Sequence, residues 1–192
     1  MRIVPFIGGE GKGSIPPTLE ELDLSDNSFD DMPRNTFRPF SNLKKLNLSK
    51  NGLSDFEAVT FVGLKKLEVL DLSFNRFTEV PNKALRVTIR ENYFTKIFLE
   101  RLFTKIFLAK ALFRIIWDFQ IISGLKKLLI GGNEIVSLTS MEFAPLSSLK
   151  ILNINGLKKL TDITKDTFNG LTGLEELWFS DSKLSAIPGK AL

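Results

Sequence analysis

Gly8-Gly9-Glu10-Gly11-Lys12-Gly13-Ser14 has the glycines and the lysine of a phosphate-cradling loop. That chemistry requires Ser or Thr directly after the Gly-Lys pair, and a strand and a helix on either side. Here Gly13 intervenes, so the stretch reads as a flexible leader. Asp23, Asp26, Asp30 and Asp31 form an acidic cluster. A calcium loop needs alternating oxygen ligands, a Gly at the sharp turn and a distal Glu, and neither the Gly nor the Glu is in place. Glu20-Glu21 and Glu175-Glu176 are neighbouring carboxylates. Acid–base work needs them in a shared cleft with displaced pKa values, and their positions suit a solvated surface better. The chain has no Cys and no His. This excludes disulfides, thiol and imidazole nucleophiles, and Cys/His zinc sites. The expectation is a chain with no catalytic residues, no metal site and no cofactor.

Two further features bear on partners. Asn47-Leu48-Ser49 is the single Asn-x-Ser/Thr sequence, and Asn47 is a possible glycosylation site in a secreted chain. The formal net charge of +4 is spread as Lys44-Lys45, Lys65-Lys66, Lys126-Lys127 and Lys158-Lys159. Such dispersed pairs suit a solvated face and not a nucleic-acid footprint. No uncharged apolar run approaches the ~20 residues that span a bilayer. The short apolar stretch from Ile3 to Ile7 lacks the longer core of a signal peptide.

The elements that would carry any function are set by a long internal period. Leu19, Leu43 and Leu67 lie 24 residues apart, and each opens the same pattern. The first copy continues as Leu22, Leu24, Asn27, Phe29, Met32, Phe37 and Phe40; the second as Leu46, Leu48, Asn51, Leu53, Phe56, Phe61 and Leu64. Further copies begin at Leu125, Leu149 and Leu174. A fixed period of this length means stacked units that share one continuous core. Leu22 and Leu24 alternate with Asp23 and Ser25, which predicts a short strand with leucines inward. Asn27, Asn51, Asn75, Asn92 and Asn133 follow at a fixed offset. An amide with two donors and one acceptor can satisfy the turn groups that stacking leaves open, so these five residues are expected to form a structural ladder. Phe37, Phe61, Phe143 and Phe168 are expected to fill the far side of each coil.

This Leu-x-x-Leu-x-Leu-x-x-Asn-x-Leu pattern with a distal Phe resembles the leucine-rich repeat family, in its 24-residue subtype, from about Leu19 to Leu192. The resemblance implies an α/β solenoid: a right-handed horseshoe with a concave parallel sheet of about seven or eight short strands. Its convex side would be irregular or briefly helical. Residues 1–18 would be a leader or the remnant of an N-terminal coil, and 19–192 the array. Repeats of this kind look most like ectodomains of Toll-like receptors and related adhesion proteins. That implies a non-catalytic recognition module, at the cell surface or outside the cell, in innate immunity, development or adhesion. It would bind a protein ligand or co-receptor, with no nucleic acid and no membrane span in this chain. The alternative is an intracellular, cytoplasmic repeat scaffold or adaptor.

The pattern has three irregular places. The Leu149 unit carries one extra residue and has Leu157 in its Asn slot, which predicts a weakened ladder there. The last unit has Ser182 in that slot. Between residues 84 and 123 the period fails, and Phe94-Thr95-Lys96-Ile97-Phe98-Leu99 recurs as Phe103 to Leu108. This span reads either as irregular repeats, with coils starting near Ala84 and Phe103, or as an insertion containing an amphipathic helix. Three shortened coils between Leu67 and Leu125 are the favoured expectation, because a skipped unit would break the continuous core. Inward leucines are fixed by packing, so ligand contact is assigned to the outward strand positions Asp23, Asn47, Asp71, Arg90, Leu129, Asn153 and Trp178. Thr88 also falls at such a position, and the degenerate coil would add Phe107.

Overall fold

The computed structural model describes residues 16, 18–85, 122 and 124–189. Each unit folds as one coil whose short strand joins a parallel sheet. The strands are β1 (Glu21–Asp23), β2 (Lys45–Asn47), β3 (Val69–Asp71), β4 (Lys127–Leu129), β6 (Ile151–Asn153) and β8 (Glu176–Trp178). They lie side by side in the order β1-β2-β3-β4-β6-β8. On the convex side are a four-residue helix, α1 (Asn82–Leu85), and a two-stranded parallel ribbon of β5 (Ser137–Leu138) and β7 (Asp162–Ile163). The result is the expected parallel solenoid, with six strands in the main sheet among the described residues.

The leucine column is the core. Leu46, Leu70, Leu128 and Leu152 are aligned in register and buried, while Leu22 and Leu177 at the two ends are half-buried. The register follows from the period. Any slip by one residue would turn every leucine to solvent. The phenylalanine column closes the opposite wall. Phe37 stacks on Phe61 with centroids 6.0 Å apart, and Phe143 stacks on Phe168 at 6.2 Å. Between them the column holds Leu85, buried at the end of α1, where no ring is available.

The asparagine ladder spans coil to coil. Asn51 Nδ2 donates to Leu24 O at 3.0 Å, and its Oδ1 accepts from Phe29 N at 3.1 Å. Asn75 repeats this on Leu48 O and Leu53 N, and Asn133 on Leu72 O and Phe77 N. Asn27, in the first described coil, bonds only carbonyls of its own coil, Leu24 and Ser25. At the next slot Leu157 is fully buried and offers no amide, and Ser182 accepts only from Leu184 in its own turn. The weakening anticipated at the Leu149 unit is therefore a substitution of ladder by packing. Asn92 lies outside the described residues.

The middle of the chain overturns one expectation. β3 pairs directly with β4, Leu70 opposite Leu128. The ladder passes without a gap from Asn75 to Asn133. Among the described residues the coil of Leu67 is followed in this sheet directly by that of Leu125, so of the three shortened coils expected there the two starting near Ala84 and Phe103 are not stacked between β3 and β4. The physical reason is visible in the third coil. In the second coil Phe61 and Leu64 are both buried, and Leu67 N donates to Leu64 O at 3.3 Å. In the third, Leu85 takes the place of Phe61, and Ile122 that of Leu64, buried and accepting from Leu125 N at 2.9 Å. One coil is thus closed by residues from both sides of the interruption, and the core stays continuous across it. The strands expected around Val87–Ile89 and Ile106–Leu108 lie outside the described residues, as does the proposed amphipathic helix.

Candidate concave recognition face

The sheet orders the outward residues into rows. Strand register aligns Asp23, Asn47, Asp71, Leu129, Asn153 and Trp178 in one row, as expected from the repeat. Arg90, Thr88 and Phe107 lie outside the described residues. A parallel row one pleat earlier holds Glu21, Lys45, Val69, Lys127, Ile151 and Glu176. It shares the same face by strand alternation.

The first row is less free than its variability suggested. Asp23 Oδ1 accepts from Ser25 N at 2.8 Å, Asn47 Oδ1 from Ser49 N at 3.0 Å, and Asp71 Oδ1 from Ser73 N at 2.9 Å and from the Ser73 hydroxyl. Asn153 Oδ1 does the same for Asn155 N at 2.9 Å. Each side chain thus caps the backbone where its strand ends, as Asx residues do in turns. The Ser25 hydroxyl and then its backbone amide hold the Asp23 carboxyl below its ordinary value. The repeated Asx-x-Ser spacing was the available signal for this cap. It also accounts for the Asn47-Leu48-Ser49 sequence, since Asn47 Oδ1 caps the backbone of Ser49, which is buried.

Leu129 breaks the series. It cannot cap, and the residue two positions on is Gly131 instead of Ser. A Cβ on Gly131 would fall 2.3 Å from Asn155 O, so only glycine fits against the next coil. Trp178 ends the row 51% exposed, a large apolar residue half open to solvent.

The lysine pairs are engaged with neighbouring coils. Lys44 meets Glu20 at 2.8 Å, Lys45 meets Glu21 at 2.6 Å, Lys126 meets Glu68 at 2.9 Å and Lys159 meets Glu134 at 2.7 Å. Hydrogen bonds from these lysines hold Glu20, Glu68 and Glu134 below the usual carboxylate range, and the bond to Glu20 raises Lys44. The acidic cluster of the first coil is likewise divided among separate tasks: Asp23 caps Ser25, and Asp31 Oδ1 accepts from Met32 N. No helix among the described residues is long and apolar enough to cross a membrane.

Comparison with known proteins gives the same architecture. Residues 17–77 match the family model described as leucine rich repeat. No curated protein matches the sequence. Among solved structures, Toll-like receptor 13 in complex with single-stranded RNA is similar with a TM-score of 0.57 and 26% identity, over 89% of this chain and 23% of that one. Toll in its complex with Spatzle, from Drosophila, is similar with a TM-score of 0.60 over 83% of this chain and 16% of that one; at 18% identity the likeness is one of fold. The chain thus spans less than a quarter of the length of either structure. Residues 17–77 thus carry leucine-rich repeats, and the solenoid that continues the same pattern through its last strand is similar in fold to the repeat coils of Toll-like receptor 13 and Toll.

Proposed function

We propose that the chain is a non-catalytic recognition module that binds a protein ligand or co-receptor on its concave face, as part of a cell-surface receptor or adhesion protein. The observation that carries this is the row from Asp71 through Leu129 to Trp178. It lies on a rigid sheet, and its last member exposes half of an indole. A preformed surface binds with little ordering cost, and Trp is enriched among residues that dominate binding energy. Toll-like receptor 13 and Toll, two of the solved neighbours, are ectodomains seen with single-stranded RNA and with Spatzle respectively, which supports an extracellular setting for this chain as well. Asp23, Asn47, Asp71 and Asn153 then have two roles, capping their own turns and presenting polar groups to the ligand. Asn47 as a glycan site remains part of this proposal, and its attachment would place a sugar on the recognition face.

The test is selection of binders from a displayed library on the intact chain, followed by affinity measurement on variants. Trp178→Ala should weaken selected binders by roughly 10- to 30-fold, the size of a hot-spot loss. Lys165→Ala, on an exposed convex position, should leave them unchanged. Binders indifferent to Trp178→Ala and lost in Lys165→Ala would move recognition to the convex side.

A further inference from the structure

Phe74 is the residue that neither folding nor the assigned contact row explains. It stands where each coil turns out of its strand, in column with Asp26, Lys50, Gly132, Gly156 and Asp181. All six have φ between 54° and 69°. Glycine takes this left-handed conformation freely, and a bulky side chain there is an outlier. Such an outlier is an observation from which function can be sought. Burial does not compensate Phe74, whose side chain is 61% exposed. The Cδ1–Cε1 side of its ring lies against Gly132, where a Cβ would come within 2.5 Å of Cδ1. Gly156 occupies the same place one coil further on. The ring therefore heads a lane two coils wide that carries no side chains.

Register places this ring beside the rest of the apolar surface. Asp71 is opposite Leu129, and Trp178 lies two strands beyond Leu129. On the N-terminal side Glu21 and Lys45 of the earlier row pair at 2.6 Å, which leaves Asp23, Asp26 and Asp71 against Lys50 in the contact row and the turn column. On the C-terminal side Lys127 and Glu176 balance, and Asp181 pairs with Lys158 at 3.9 Å. The face is thus acidic at one end and apolar, with near-neutral charge, at the other.

We propose that this surface seats an extended segment of a partner protein, with apolar or aromatic side chains on Phe74, Leu129 and Trp178 and a basic side chain reaching Asp71 and Asp23. The proposal rests on the concave-face reading above and names its partner. Asp71 and Trp178 are three strand spacings apart, about 14 Å at ~4.8 Å per strand, which an extended chain covers in about four residues. The recognised feature is therefore an Arg or Lys separated from a Phe, Trp or Leu by about three residues. The acidic end favours the basic residue by charge, and the apolar residue loses water against two exposed rings.

The experiment is fluorescence anisotropy on the intact chain with labelled Ser-based peptides carrying one Arg and one Phe, with one, three or seven residues between them. A matched three-residue-gap peptide has Gln in place of Arg. The three-residue gap should bind most tightly. Phe74→Ser should weaken it by roughly tenfold. Asp71→Asn, which keeps an oxygen to cap Ser73, should remove only the preference for Arg over Gln, roughly two- to fivefold for an exposed ion pair. Equal binding at all three gaps overturns the inference, as does a single-stranded oligonucleotide that competes and binds more tightly to Asp71→Asn. If Trp178→Ala weakens library-selected binders while Phe74→Ser and Asp71→Asn do not, this partner class is wrong and concave recognition stands. If Trp178→Ala is silent as well, both fall.

Discussion

Coils carrying β1 to β3 and coils carrying β4, β6 and β8 share one sheet but use the repeat differently. In the first three, Asx caps Ser at every strand end, and Asn51 and Asn75 bond across to the coil before them. Beyond Asn133 the ladder gives way to buried Leu157, and the cap series is interrupted at Leu129–Gly131. The first half follows the repeat and presents a polar contact row, beside which Phe74 stands exposed in the turn column. The second departs from it at Leu129, Gly131 and Leu157 and adds Leu129 and Trp178 to the row on either side of Asn153. Where a repeat slot keeps its residue type, packing and backbone bonding explain it; where the type changes, the surface changes with it.

The two halves should respond to mutation in a graded way. The largest effect is expected from Leu70→Ala and Leu128→Ala, the facing core leucines on either side of the interruption. Each should lower unfolding free energy by about 2–5 kcal/mol in denaturant titrations. Similar losses would confirm that one core crosses the boundary, whereas a large loss at one and none at the other would split the halves. Next comes Asn75→Leu. It strands Leu53 N, while Leu48 O keeps its bond from Asn51 Nδ2, and should cost about 1–3 kcal/mol for the unsatisfied group, while Leu157→Ala should cost a core-truncation penalty with no loss of ladder bonds. A smaller effect belongs to Asp71→Ala, which removes a cap worth about 1 kcal/mol, while Asp71→Asn should be near neutral in the same measurement.

Excision of residues 88–121 tests the boundary differently. It would join Leu85 to Ile122 through two residues, the separation of Phe61 from Leu64 in the second coil. The shortened chain should retain a cooperative thermal transition. Aggregation or loss of that transition would mean that the coil closed by Leu85 and Ile122 depends on the removed residues.

The smallest effect is electrostatic. Glu20, Glu68 and Glu134 have lowered carboxyl pKa values in the folded chain, through hydrogen bonds from Lys44, Lys126 and Lys159. Their contribution is present above the ordinary value of 4.5 and is lost as pH falls below it through the folded values. Lys44, raised in the folded state, contributes fully below its ordinary 10.5 and loses that contribution as pH rises through the higher folded value. These pairs are exposed, so the change in melting temperature below pH 4.5 should be slight and further reduced at high salt.

Much of the fold was legible because its causes are local and repeated. Leu46, Asn51 and Phe61 occupy slots whose spacing states their role. The interruption was not. Val87 and Ile89 continue the alternating sequence pattern, and spacing alone cannot reveal that Leu85 and Ile122 belong to the same coil. The contact row was legible as positions, but the capping done by Asp71 depends on where Ser73 N points, which only the folded turn decides. Phe74 escaped notice because Asp26 and Lys50 hold the equivalent slot in the earlier coils, and neither announces a left-handed turn in which a ring would be left exposed.

The most direct test of the concave-face account is hydroxyl-radical footprinting of the intact chain, alone and with a library-selected binder. Phe74 and Trp178 should lose reactivity in the complex, while Met141, 52% exposed just beyond β5 on the convex side, keeps its own. Protection of Met141 with Phe74 and Trp178 unchanged would contradict the account.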